Sequence, residues 1–331
     1  MPDDRPVRIG LIGAGGMGTR HAVNLRTSVP AAQVVGVYDF DPQRAHQAAG
    51  LCPGARVFTD PIDLIRSGEV DALIVASPDD THVDYVLECL ACQKPVLCEK
   101  PLGIHSVSAG RVLEAEAKLG HTLVSLGFMR RFDPQHCAVR AAAASGQLGR
   151  PILYKGVHRN AGIPYSVTGE TVITNSAGHD IDAARWLLGQ EVEEVFVRGV
   201  RSHDAYPPET VDLVLIQMAL SNRTLASIEV YVGAEYGYEV SAELVGEHGT
   251  ALTLQPDLAL VRASRTRSVP VPGDWLERFQ EAYVAEEAAW VRSLQTGQPF
   301  PGATAQDGYV ALKVSEACIR SLRRGKAVNS L

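Results

Sequence analysis

Residues 13–18 read Gly13-Ala14-Gly15-Gly16-Met17-Gly18, a Gly-x-Gly-x-x-Gly spacing. They follow the apolar run at 7–12 and open a helical pattern, the strand–turn–helix context in which such a loop holds a dinucleotide. Gly13 permits the tight turn, Gly15 lets the backbone approach a pyrophosphate, and Gly18 lets helix and strand pack closely. Gly16 and Met17 complete the loop, and the amides at the helix start face the phosphates. Asp39 ends the next apolar run, at 34–38, about 20 residues past the loop, where a carboxylate accepts hydrogen bonds from the adenosine ribose. A carboxylate there also repels a 2′-phosphate, which favours NAD over NADP. Arg44 stands near enough to reach the same ribose. The plainer alternative is a surface glycine turn with Asp39 and Asp41 as helix caps.

Ser77 and Pro78 end the run at 72–76. In an open α/β sheet, ligands sit beyond the carboxyl ends of the strands, which puts both residues at the cofactor. His82, in the first turn of the next helix, either faces the ribose or covers the helix start.

These residues are set into an alternating pattern. Apolar runs at 7–12, 34–38, 72–76, 96–98 and 122–126 are separated by helical periodicity, as at 81–92 and 106–119. Strands buried on both faces and alternating with helices predict a parallel sheet of βαβ units. After residue 128 the pattern changes: a helix at 134–144, a strand at 151–158, an irregular stretch at 159–174 containing Pro164, and a helix at 178–188 stopped by Gly189. Period-two segments follow. Ala226, Ile228, Val230 and Val232 share one face, as do Tyr238, Val240, Ala242 and Leu244, the mark of an antiparallel sheet with one wetter side. Two helices close the chain, at 275–296 and from about 304 to 324, the latter opened by Thr304 and Asp307 at capping-box spacing. The fold class is α/β: an N-terminal dinucleotide-binding domain at 1–127 and a second α+β domain at 128–331 with a large, mostly antiparallel sheet. The last helix is expected to pack back on the first domain.

Composition narrows the function. The 331 residues suit two domains, and 46% hydrophobic with 21% charged residues is globular composition. A net charge of −7 without a Lys/Arg run argues against a nucleic-acid surface. The opening Met1-Pro2-Asp3-Asp4-Arg5-Pro6 lacks a signal-peptide core, and no segment approaches the ~20 apolar residues of a membrane span. A cytoplasmic protein is expected. Cys89 and Cys92 form a Cys-x-x-Cys with no second pair at ligand spacing. It lies in an apolar helical pattern and reads as reduced core, not as a metal site.

Cys98-Glu99-Lys100-Pro101, together with the glycine loop, resembles the Gfo/Idh/MocA family of sugar and cyclitol oxidoreductases over essentially the whole chain. The stretches Gly127-Phe128-Met129-Arg130-Arg131-Phe132-Asp133, His158-Arg159-Asn160, His179-Asp180-Ile181-Asp182, Tyr231-Val232, Tyr236-Gly237-Tyr238 and Asp274-Trp275 are similar to its inositol-dehydrogenase branch. The resemblance implies a Rossmann domain followed by an α/β domain whose open sheet mediates tetramer assembly. It implies hydride transfer between nicotinamide and a secondary alcohol of a myo-inositol-like cyclitol.

It also implies site roles. Lys100, at a strand end near the nicotinamide, polarises the reacting oxygen or relays its proton. His179 is the acid/base, since an imidazole titrates near neutrality. Asp182, one turn on, either orients that ring or anchors the helix. The family pattern has Asp four residues before this His; here it is Asn175, which can hold a hydroxyl but takes no proton. Asn175 or Ser176 is also a candidate helix cap. Glu99, Met129 and Arg130 belong to the cofactor side. Arg130, His158, Asn160, Tyr238 and Trp275 would give a polyol pocket its donors, acceptors and aromatic wall, with Tyr236 a weaker candidate. Two other readings stand beside this one: a dehydrogenase or ketoreductase of another sugar or aminocyclitol precursor, and a silent NAD-binding regulator.

Overall fold

The computed structural model of the chain describes residues 5–162, 167–254, 261–263 and 266–330. The N-terminal tetrapeptide and Pro164 therefore lie outside the described residues. Two compact units result, one of residues up to 132 with 281–312, the other of 133–280 with 313 onward. The division falls at Asp133 where the sequence suggested 128, and residues 281–312 join the first unit.

The first unit is a parallel sheet of β1 (Val7–Ile12), β2 (Ala32–Tyr38), β3 (Arg56–Val57), β4 (Ala72–Val75), β5 (Val96–Glu99) and β6 (Val124–Gly127). Their spatial order is β6-β5-β4-β1-β2-β3, with an antiparallel edge strand, Ala303–Thr304, beside β6. The order reverses between β1 and β4, the switch point at which doubly wound sheets bind ligands. Residues of β4 and β5 are buried on both faces, as continuous apolar runs require. The helices are α1 (Gly16–Ser28), α2 (Pro42–Leu51), α3 (Pro61–Arg66), α4 (His82–Ala91) and α5 (Ser106–Leu119). Asp41 and Asp60, each followed by Pro, cap α2 and α3 through Gln43 and Ile62 amides. One core packs α1 and α2 with Trp290 against the sheet; another packs α3, α4 and α5 with Leu312. Cys89 lies in the second of these, fully buried, and burial pushes its thiol up.

The second unit holds α6 (Pro134–Ala144), capped by Asp133, and the sheet strands β7 (Pro151–Arg159), β8 (Val192–Val200), β9 (Leu213–Leu220), β10 (Thr224–Tyr231), β11 (Glu239–Gly246) and β12 (Thr250–Leu252). The order is β12-β11-β7-β10-β9-β8, with Val328–Asn329 beside β8. Only β7 and β10 among these pair in parallel. Ala226, Ile228, Val230, Val240, Ala242 and Leu244 all point inward, as their spacing predicted.

The stretch expected to be irregular up to residue 174 turns helical earlier. A short helix α7 (Gly169–Val172) runs through a π-helical turn, Ile173–Ala177, into α8 (Gly178–Leu188). Thr168 caps this run in a reciprocal box with Thr171. Asn175 and Ser176 therefore sit inside a helix and cap nothing. The helix stops at Gly189, whose φ of +61° is left-handed.

Two further helices, α9 (Trp275–Thr296) and α10 (Ala305–Arg324), give residues to both units. Thr304 and Asp307 form the expected reciprocal cap of α10. No helix among the described residues is long and apolar enough to cross a membrane.

Candidate active site

The glycine loop joins β1 to α1. Gly13 has φ +93°, and a Cβ there would stand 2.4 Å from the Ala76 carbonyl oxygen. A Cβ on Gly18 would stand 1.9 Å from the Gly13 carbonyl oxygen. Both positions exclude any side chain. Gly15 and Gly16 are the reverse: beyond the local backbone, no atom of the described residues lies within 4 Å of the place a Cβ would take. The loop is thus closed toward the sheet and open at the start of α1, the form a pyrophosphate cradle needs. Met17 opens the first turn beside them.

Asp39 is buried beside the loop. Its Oδ2 accepts the Ala14 amide at 2.6 Å and its Oδ1 the Asp41 amide at 2.9 Å. Each carboxylate oxygen keeps a second lone pair for a ribose hydroxyl. Arg44 lies over the exposed Phe40 ring at 5.9 Å and 3.5 Å from Asp41 Oδ2. Ser77 pairs with Thr81 through their hydroxyls at 2.6 Å, next to Pro78, which precedes a single 3-10 turn. Residues of these types, with this opening, fit a bound NAD.

His82 faces two backbone carbonyls. Its Nδ1 is 2.7 Å from the Pro101 carbonyl and its Nε2 2.8 Å from the Ser77 carbonyl, with the ring buried. It braces two strand-end loops against each other. Lys100 follows β5, half-buried, and the Lys100–Pro101 peptide is cis. Glu99 turns one oxygen to the Lys100 amide, at 3.2 Å, and the other to His21, at 2.9 Å. Met129 and Arg130 are buried in the turn after β6, and Arg131 beside them pairs with Asp307 at 3.0 Å.

In the second unit a polar cluster forms on the inner face of the sheet. His158 of β7 sets Nδ1 2.8 Å from Asp180 Oδ2 of α8. Its Nε2 lies 3.3 Å from the Tyr238 hydroxyl and 3.4 Å from Asn160 Nδ2. Tyr238 meets the His158 ring edge-on, and Phe279 backs Tyr238. His179 and Asp182 are buried on α8, one residue before and two after Asp180. Asn175 stands half-buried in the π-turn, a distortion that recurs at functional sites. Trp275 is exposed at the start of α9. Tyr236 lies on the solvent side, its hydroxyl with Arg159 and Glu239.

Three pairings could not be read from the sequence. Asp180 hides in a motif where spacing pointed to Asp182; its partner is on a strand, beyond the reach of helical periodicity. His21 and Glu287, 2.8 Å apart, are separated by 266 residues. Asp133 and Arg278 form a buried ion pair at 2.8 Å, and hydrogen bonds from His136 and Arg278 outweigh burial to hold the Asp133 carboxyl well below its ordinary range.

The profile of an oxidoreductase family with an NAD-binding Rossmann fold matches residues 7–128, and that of the family's C-terminal alpha/beta domain matches 140–329. The chain is 48% identical over 323 residues to the inositol 2-dehydrogenase of Rubrobacter xylanophilus, covering 98% of this chain and 93% of that one. It is 43% identical over 319 residues to inositol 2-dehydrogenase 2 of Saccharopolyspora erythraea, with 96% and 94% covered. The myo-inositol dehydrogenase of Lactobacillus casei, solved with NAD(H) and myo-inositol, superposes with a TM-score of 0.94 at 29% identity, covering 98% and 96%. The scyllo-inositol dehydrogenase of the same organism, with NAD(H) and scyllo-inositol, gives 0.90 at 26% identity, covering 98% and 99%. The chain belongs to the Gfo/Idh/MocA oxidoreductase family, Rossmann and C-terminal domains both included.

Proposed function

We propose that the chain is an NAD-dependent inositol dehydrogenase that oxidises a secondary alcohol of myo-inositol at the ring position its relatives' name denotes. Near-half identity along almost the whole chain to an inositol 2-dehydrogenase carries this reading. The first unit is its NAD-binding domain and the second its substrate and assembly domain. A bound NAD would supply the hydride acceptor for the alcohol carbon. The Gly13–Gly18 loop and Asp39 would hold its phosphates and ribose, with Arg44, Ser77, Pro78, Met129 and Arg130 around them.

The proton of the alcohol is the work of the chain's own side chains. His179 accepts it, and Lys100 polarises the oxygen it leaves. His158, held by Asp180, offers Nε2 to a ring hydroxyl in company with Asn160 and Tyr238. Such a set of fixed donors and acceptors reads the pattern of hydroxyls on a cyclitol. Asn175 holds a hydroxyl without taking a proton.

The outer face of the second sheet supports self-assembly, a homotetramer on this reading. It carries Leu153, Val157, Leu215, Leu225 and Val245 among ion pairs such as Lys155–Glu243 and Arg159–Glu229. Leu215 and Leu225 are exposed and the other three half-buried, and apolar side chains presented outward between charges suit an interface. A cytoplasmic setting belongs to the same reading, since the six cysteines are free thiols.

The test is formation of reduced cofactor, followed by absorbance, from NAD or NADP with a panel of inositols, hexoses and pentoses. Turnover with myo-inositol and NAD is expected. Turnover with sugars alone overturns the substrate, and NAD binding without turnover on any alcohol or ketone overturns the activity.

A further inference from the structure

One buried cluster in the first unit takes no part in the chemistry above. His21 lies on α1, just past the glycine loop, and is 1% exposed. Its Nε2 is 2.9 Å from Glu99 Oε1 and its Nδ1 2.8 Å from Glu287 Oε1. Glu287 Oε1 also accepts the Asn24 amide at 3.0 Å. The Tyr283 ring meets the imidazole edge-on. Glu99 Oε2 accepts the backbone N–H of Lys100 at 3.2 Å. A Cβ on Gly127 would come within 3.2 Å of that oxygen, so β6 carries glycine where the carboxylate passes.

Two carboxylates leave the ring no acceptor role; it donates from both nitrogens, as an imidazolium. Burial opposes that charge, but the hydrogen bonds to Glu287 and Glu99 outweigh it and push the imidazole up to about 10. The same bond holds Glu99 below the ordinary carboxylate range against burial, while burial raises Glu287. A buried ionic cluster of this kind is a poor way to gain stability, because apolar residues of equal volume do as well. What it supplies is fixed geometry. It ties the dinucleotide helix α1 and helix α9 to the one residue whose carboxylate holds the Lys100 backbone. On the other side, His82 takes the Pro101 carbonyl. Both chain neighbours of Lys100 are thus gripped by a buried imidazole.

We propose that His21, clamped by Glu287, is a positioning residue that acts through Glu99 on the placement of Lys100. This rests on the reading of Lys100 as the group that polarises the reacting oxygen.

The test is a double-mutant cycle in the full-length protein, reading kcat on myo-inositol, the Kd for NAD and the thermal melt. His21→Gln is expected to lower kcat at least tenfold, with the Kd for NAD within about threefold of the parent. In a Lys100→Met background the same change should cost less than threefold, since the group it positions is gone. Glu287→Leu should behave as His21→Gln, and Glu287→Gln, whose amide oxygen still accepts the imidazole N–H, should recover most of the rate lost. An unchanged kcat in His21→Gln or Glu287→Leu overturns the proposal. So does an equal loss with and without Lys100, or a loss of NAD affinity in proportion to kcat. Failure of both variants to fold makes the cluster structural and overturns it too. Lys100→Met turning over at the parent rate removes the underlying reading of Lys100, a result separate from anything His21 does.

Discussion

The dinucleotide end of the first unit and the polar cluster of the second are built from different materials. At the first, backbone shape makes the opening: Gly13 and Gly18 leave no room for a side chain, Gly15 and Gly16 leave open space, and Asp39 holds two loop amides. At the second, side chains from β7, α8 and the approach to β11 converge on one imidazole, His158, with partners 22 and 80 positions away. A backbone cradle serves any dinucleotide and leaves the choice between NAD and NADP to the Asp39 carboxylate. On the function proposed, a side-chain cluster discriminates among alcohols, since each donor or acceptor left unmatched costs about 1–3 kcal/mol. The difference separates what a fold carries for a whole family from what one member does with it.

The hardest test of this division is Lys100→Met. The chemistry should fall by about 10³-fold, within the range for removing a general acid/base or polarising group, while the glycine cradle still binds NAD. Single-turnover absorbance and calorimetric titration of NAD read the two halves separately. A variant that loses both, or neither, breaks the separation.

Asp180→Asn comes next. The charge-assisted bond to His158 becomes a neutral one, and the loss should lie near 1.5–3 kcal/mol, or about 10- to 150-fold in kcat/KM for the cyclitol. KM for NAD should stay within about twofold. Equal damage to both constants would assign Asp180 to the fold instead of to substrate recognition.

Asp39→Ala probes the other half with a smaller effect. Two loop amides lose their acceptor and the ribose loses its carboxylate, so KM for NAD should rise about tenfold. The preference for NAD over NADP should narrow, because the repulsion of a 2′-phosphate goes with the carboxylate. Steady-state rates with both cofactors check it; an unmoved preference ratio means that Asp39 does not face the ribose.

The same contrast explains what the sequence made legible. The glycine loop, Asp39 and Ser77 are local signals: a strand, a turn and a helix start lie side by side in the chain. The boundaries of β1 and α5, and the inward faces of β10 and β11, follow from periodicity alone. The resemblance to a family supplied His158, Asn160 and Tyr238, but Asp180 as the partner of His158 was out of reach, because a helix meets a strand only in the folded chain. His21 and Glu287 were hidden for the same reason. Helix α7 escaped notice because it is a single turn, and the π-turn after it shifts the apolar period just where periodicity is read.

Asn175→Asp sharpens the comparison with the smallest effect. Asn175 lies in the π-turn that leads into α8, four residues before His179. A carboxylate placed near an imidazole favours the charged ring. The neutral form that accepts the alcohol proton would then be reached only at higher pH. The acidic limb of the kcat/KM profile should move upward, by about one pH unit if the interaction is worth ~1.4 kcal/mol. At alkaline pH, where the ring is neutral in both proteins, the rates should agree within about threefold. NAD binding, governed by the backbone cradle of the other unit, should not change at any pH. A profile that superimposes on the parent's would place Asn175 away from the reacting pair and leave the π-turn with a purely conformational role.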